Sequence, residues 1–491
     1  MRKFTLRGLT IERVMLVTIF ALLFVMATRI PVDTDTWWHI RSGEYTLENG
    51  MIYSDPFSFT KQGEPWTNHS WGSQIILYGV WQLAGNIGLP LYTAVLATGG
   101  MAFLYRICRG NVYLRGFALV LGASTAAVFW SARPQMISFF LSTVILYLLY
   151  LYKGKKIDRL WFIPPIMLVW GNLHAGFSIG FIFIGGVIAG EILGNLFNRG
   201  GEEVISWQGV RKLTLVALVS VGALVINPYG FKMLLVPLQT VSIGALRDYI
   251  QEWNSPNFQQ RQTWPFIGLL LGTLGAVGAS SKKLDWTDFI LFSGTAFMGL
   301  LAGRNIAVFA VAATPIFSKV VDAALQERGW NLKPIQRVTK QQARLNVVLL
   351  SVILFGALAV IVSVWNPTAI DTAQRQYLPV NVAEYITENN LSGRMFNSYN
   401  WGGYLMFALP DIPVYVDGRT DLYKDEFLLR YLKTAIGGDG WREVLDEDAI
   451  DFVVVEAKSG LANRLREAPD WTLIYEDESD FAVIFTRDVQ N

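Results

Sequence analysis

Eleven stretches of this 491-residue chain are apolar over most or all of the length needed to cross a lipid bilayer, and no other feature constrains its fold as tightly. A hydrocarbon core of roughly 30 Å needs about 20 mostly apolar residues in a helix. Only a helix or a closed barrel satisfies every backbone N–H and C=O in lipid. The stretches are 11–30, 87–106, 113–131, 135–152, 160–173, 175–197, 210–227, 264–280, 286–302, 305–321 and 346–365. The segment 160–173 is short and carries Pro164 and Pro165, so a break or tilt is expected there. The first stretch reads as a retained span, because its apolar run is too long for a cleaved leader. Charged residues make up 16% of the chain, too few to solvate the surface of a soluble protein, which usually carries about 25%. A single cysteine, Cys108, rules out a disulfide framework, and the formal charge of +2 gives no footing for nucleic acid.

That small net charge hides a split. Residues 1–369 hold 30 Lys and Arg against 17 Asp and Glu, whereas residues 370–491 hold 11 against 22. The expected architecture is therefore a polytopic α-helical membrane module, 1–369, of about eleven spans, followed by a small soluble α/β domain, 370–491. Lys and Arg collect on cytoplasmic loops. With the N-terminus inside, 22 basic residues of the module fall inside and 8 outside. The inside set includes Arg2, Lys3, Arg7, Arg199, Lys333 and Arg337. This orientation puts the loop 31–86, the loop 228–263 and the acidic tail on the extracytoplasmic face.

The loop 31–86 concentrates chemistry. Helical spacing runs from Thr36 to Glu48, Ser54-Asp55-Pro56 reads as a turn, and Phe57 to Thr60 as a short extended piece. Ser70 to Leu83 is amphipathic, with Trp71, Tyr78 and Trp81, and suits the interface plane where such rings are favoured. Asp33 and Asp35 follow the first span directly. A carboxylate pair at that level can act as a general base or bind a divalent cation beside a phosphate, or simply solvate a helix end. The chain's three histidines, His39, His69 and His174, all fall on this outer side, which points to a shared polar cavity. No zinc-ligand spacing occurs among them. Arg133, followed by Pro134 and Gln135, and Arg304, followed by Asn305, interrupt apolar hairpins at the same level. Arginine at such depth is costly unless it meets an anion or water, so both are candidates for a lipid phosphate. Loop 228–263 adds Arg247, Asp248, Glu252 and Trp253.

In the tail, helices are expected at 380–390, 398–409, 424–434, 440–448 and 460–467, and strands at 394–397, 413–416, 451–455, 472–476 and 481–486. Alternation of this kind indicates a small α/β unit. Asp417-Gly418-Arg419 follows one expected strand, where such sheets place either a ligand loop or a turn closed by a salt bridge.

Together these features resemble the GT-C class of integral-membrane glycosyltransferases. The resemblance is carried by Asp35 to Gly43 with Trp38 and His39, Asp55 to Thr60, Arg133 to Gln135, Trp170 to His174, and Trp401 to Arg419. It implies transfer of a sugar from a polyprenyl-phosphate donor on the extracytoplasmic face, inverting, with membrane lipids around the site. It further implies that Asp33 or Asp35 activates the acceptor hydroxyl or holds a divalent cation, Mg or Mn. Arg133, Arg304 and His174 would take the donor phosphate, and His39, His69, Trp38, Glu252, Tyr404, Asp417 and Arg419 would border the substrate pocket. The stretch Trp401 to Tyr404 is similar to the WWDYG element of the oligosaccharyltransferase catalytic subunit but lacks its Asp, which argues against recognition of a peptide sequon. The same polar cavity would also serve a transporter or flippase of lipid-linked sugars, or a non-catalytic GT-C-like scaffold.

Overall fold

The computed structural model describes residues 9–197, 204–244, 251–331, 338–477 and 481–488. Arg247 and Asp248, and the basic residues Arg2, Lys3, Arg7, Arg199, Lys333 and Arg337, lie outside them. The membrane module contains helices α1 (Ile11–Ala27), α2 (Thr34–Asn49), α3 (Trp71–Ile107), α4 (Val112–Ala126), α5 (Gln135–Lys155), α6 (Ile163–Leu173), α7 (Ser178–Phe197), α8 (Trp207–Leu224), α9 (Lys232–Ser242), α10 (Trp264–Ala279), α11 (Trp286–Leu301), α12 (Ile306–Glu327) and α13 (Lys340–Val364). A helix stands at each of the eleven apolar stretches. Six described helices are long and apolar enough to cross a membrane, and Leu160–Leu173 and Trp286–Leu301 are shorter apolar ones.

Local chemistry sets the helix ends. Asp33 caps α2, its Oδ1 accepting the Asp35 N–H at 3.0 Å. This satisfies a donor the helix cannot. Gly85, at φ +54°, breaks α3 into the aromatic outer segment and the apolar one. A residue with a side chain rarely adopts that conformation. Proline begins or precedes several helices, as Pro134 does for α5, where its missing N–H costs nothing. α9 was not expected from the sequence. It carries Pro237 in its interior and exposes Leu235, Leu238 and Val241.

The tail begins with α14 (Pro367–Tyr377) and α15 (Val380–Glu388), and a four-stranded sheet follows, ordered β1 (Met395–Asn397), β2 (Phe452–Glu456), β4 (Ala482–Arg487), β3 (Trp471–Glu476). β1 and β2 are parallel, the other pairs antiparallel. The β1–β2 crossover holds α16 (Tyr399–Ala408), α17 (Thr420–Ala435) and α18 (Trp441–Glu447), and α19 (Gly460–Arg466) follows β2. Residues 413–416 form no strand. Val414 makes only an isolated parallel bridge, to Ser58 of the first outer loop, so its backbone pairs with that loop instead of the sheet.

The two bodies share side chains. One core is built by the membrane helices. The second joins tail residues such as Phe396, Leu405 and Val454 with Trp38, Ile52, Phe57 and Trp66 from the first outer loop. Apolar burial at about 25 cal/mol per Å² makes this shared core the main force fixing the tail against the loop.

Candidate active site

Nine of the twelve residues singled out from the sequence line one cavity of about 1140 Å³: Asp33, Asp35, Trp38, His39, His69, Arg133, His174, Glu252 and Arg304. It opens between the membrane helices and the tail, which adds Tyr399, Asp421 and Glu456. Phe129, Trp130, Phe139 and Ile182 give its membrane side an apolar wall.

Arg133 organises the charges. Its Nη1 lies 3.3 Å from Asp33 Oδ2 and 3.8 Å from Glu252 Oε2, and its Nη2 lies 3.1 Å from Asp35 Oδ2. Glu252 also approaches Arg304, with Oε1 3.6 Å from Nη1, and the Arg304 guanidinium stacks on the Trp253 ring at 4.0 Å. Burial disfavours the Arg133 charge, but Asp33, Asp35 and Glu252 outweigh it and raise its pKa. Among the described residues, Arg133 Nε and Trp130 Nε1, both buried, have no hydrogen-bond partner. An unmet buried donor is costly, and both belong to residues that line the cavity.

Asp35 differs from its neighbour. Burial, opposed by Arg133 and reinforced by Asp33 and Glu252, pushes its pKa up from 3.8 to about 6. Trp38 Nε1–H donates to Asp35 Oδ1 at 3.1 Å and fixes the carboxylate's orientation. Gly418 lies against the same oxygen: a Cβ there would come within 2.2 Å of Asp35 Oδ1.

The histidines are held neutral. Burial, followed by nearby Arg133, His69 and His174, lowers the His39 pKa well below its ordinary value, and its Nδ1 lies 3.3 Å from Gln74 Nε2. Burial also lowers His69, with Asp421 partly offsetting it. His174 Nδ1 accepts the Gly176 N–H at 3.1 Å, which puts the ring proton of the neutral form on Nε2. The rings of His69 and His174 meet edge to face at 5.9 Å.

Three expected pocket residues stand elsewhere. Asp417 and Arg419 are completely buried and face each other: Arg419 Nη2 lies 2.6 Å from Asp417 Oδ2 and Nη1 lies 2.5 Å from Asp55 Oδ1. Tyr423 O–H donates to Asp417 at 2.9 Å. This cluster ties the first loop to the tail, and only Gly418 between them reaches the cavity. Tyr404 packs edge to face on Trp37 at 5.4 Å, outside the cavity lining. The sequence reading missed Trp130, Gln74, Tyr399 and Asp421, which carried no signal there. Gly418 it named only within the Asp417-Gly418-Arg419 turn, and of the three only Gly418 lines the cavity.

The residues do not fit a divalent cation. Among the described residues no three His, Cys, Asp or Glu side chains converge as a metal site needs, and the Arg133 guanidinium stands where Asp33 and Asp35 would share an ion.

No family model and no curated protein sequence matches the chain. Solved structures do. ArnT from Cupriavidus metallidurans bound to undecaprenyl phosphate superposes with a TM-score of 0.54 at 15% identity, covering 97% of this chain and 97% of that one. Its apo state gives 0.52 at 13% identity, covering 94% and 95%. The apo oligosaccharyltransferase of Archaeoglobus fulgidus gives 0.55 at 11% identity, covering 91% of this chain and 69% of that one. The chain is an integral membrane protein with a GT-C-like fold and a small C-terminal sheet. At these identities the likeness shows the fold, and the chemistry has to be argued from the residues.

Proposed function

We propose that the protein is an inverting glycosyltransferase that moves a sugar from a polyprenyl-phosphate-linked donor to an acceptor hydroxyl on the extracytoplasmic face. The observation that carries this reading is Asp35, a half-buried carboxylate whose pKa is raised to about 6, paired with Arg133 in a chamber that also holds Arg304 and has an apolar membrane wall. In the reaction, the acceptor O–H proton passes to Asp35 as the oxygen bonds to the sugar C1, and the C1–O bond to phosphate breaks on the opposite face. Arg133 and Arg304 receive the charge that develops on the departing polyprenyl phosphate, the kind of preorganised electrostatic stabilisation that dominates many enzymes. Asp33 acts through others: it caps α2 and holds Arg133. The neutral rings of His69 and His174 offer hydrogen bonds to sugar or phosphate oxygens without adding charge. Undecaprenyl phosphate in the ArnT structure supports a lipid of this class. The reading also takes eleven spans, a cytoplasmic N-terminus, an extracytoplasmic tail and a bacterial or archaeal plasma membrane.

Asp35→Asn is expected to insert and fold normally and to lose about 10²- to 10⁴-fold in transfer, the usual worth of a general base. The wild-type rate should fall as pH drops below about 6, because protonation of Asp35 removes the base. Transfer is measured from membranes supplied with labelled donor lipid. Wild-type turnover by Asp35→Asn would end the assignment.

A further inference from the structure

The two arginines meet across Glu252. Its two oxygens reach one guanidinium each, at 3.8 Å from Arg133 and 3.6 Å from Arg304. Both separations exceed the 2.7–3.2 Å of a normal N–H···O bond, so the carboxylate is held by charge alone. Asp33 and Asp35 grip Arg133 more closely, at 3.3 and 3.1 Å, which leaves Glu252 the loosest of its three anions. The backbone around Glu252 is fastened: Gly303 N–H donates to Asn254 O at 2.9 Å, and Trp253 stacks on Arg304. The Glu252 side chain can therefore leave by rotation while both arginines stay in place.

We propose that Glu252 is a resident counter-anion that holds the place of the donor's phosphate between Arg133 and Arg304 and makes the site selective for a donor linked through one phosphate over one linked through two. The proposal rests on the function above and deepens it. Swapping one carboxylate for one phosphodiester exchanges a single negative charge for another. A diphosphate brings a further negative charge toward Asp33 and Asp35, and among the described residues two arginines, Arg133 and Arg304, stand among the three carboxylates to meet it. Like charges at about 4 Å in a partly buried site are worth a tenfold or larger difference in affinity. No bond is made or broken in this step.

The test is binding of undecaprenyl phosphate and of undecaprenyl diphosphate to the full chain in lipid nanodiscs, for the wild type, Glu252→Gln and Glu252→Ala. Wild-type protein should bind the monophosphate about tenfold or more tightly than the diphosphate. Both variants should bind each lipid more tightly, with the larger gain for the diphosphate, so that the gap narrows. Weaker binding by Glu252→Gln would make Glu252 a ligand of the lipid, and unchanged binding would make it a bystander; either result overturns the proposal. Unfolding of the lipid-free variants at the wild-type temperature excludes a folding defect. If the wild type binds neither lipid, the donor reading falls together with this one. If it binds but the variants gain nothing, only the counter-anion fails.

Discussion

A carboxylate becomes a useful base at neutral pH when its surroundings raise its pKa without leaving it protonated. Asp35 meets that condition because burial raises it while Arg133 restrains the rise, leaving it near 6. Trp38 and Gly418 then decide where its oxygens point. Gly418 matters through close approach, with a side chain excluded by the 2.2 Å a Cβ would leave to Asp35 Oδ1 and the 3.2 Å to Trp38 Nε1. Gly418→Ala is therefore expected to lower transfer about 10²-fold, the cost of roughly 1 Å of misplacement, while undecaprenyl phosphate still binds. Comparing the transfer rate with lipid binding in that variant checks it. Asp35 and Arg133 were legible in the sequence as charges beside apolar runs. The choice of Asp35 over Asp33 was not, because it depends on which carboxylate caps α2 and which accepts the Trp38 N–H.

At the scale of elements, apolar runs announced the membrane helices because lipid leaves the backbone no alternative. α9 and α14 gave no such announcement. Each is an 11-residue helix, and α9 carries an internal proline. The expected strand at 413–416 failed for a related reason: strand pairing is settled by what lies alongside, and here that is Ser58 of the first loop. The buried cluster Asp55–Arg419–Asp417 locks the same seam. Removing one partner of such a cluster strands a buried charge, so Arg419→Ala should cost about 3–5 kcal/mol. Thermal unfolding of the detergent-solubilised protein, with proteolysis of the tail as a second readout, measures that loss. An Arg419→Met change together with Asp55→Leu and Asp417→Leu should recover part of it, since apolar replacement removes the unpaired charges.

For the whole molecule, the arrangement requires the tail and both outer loops to sit on one side of the membrane. The proposed orientation is the one that leaves 22 basic residues of the module inside. Cys108 is buried, so single cysteines report cleanly. In intact cells a membrane-impermeant maleimide should label Asp439→Cys, on the exposed surface of the tail, and leave Lys156→Cys, in an exposed inner loop, unlabelled until the cells are opened. The reverse pattern would place the cavity on the cytoplasmic face and remove the extracytoplasmic donor from the proposed reaction. The scattered motifs find their common purpose at this scale: Asp35 to Gly43, Asp55 to Thr60 and Trp401 to Arg419 meet where the first loop enters the tail's core.

The sequence by itself determined that the chain is a helical membrane body with an acidic tail, and which charges interrupt or border its apolar stretches. These follow from backbone hydrogen bonding in lipid and from charge partition between faces, both of which act along the chain. Only the tertiary structure decided that Asp417 and Arg419 are a staple, that Tyr404 is packing, and that Arg133 is shared by three carboxylates drawn from two loops. Those assignments depend on burial and on distances of a few ångströms between residues far apart in sequence. Linear order does not encode such quantities until the shared core has closed.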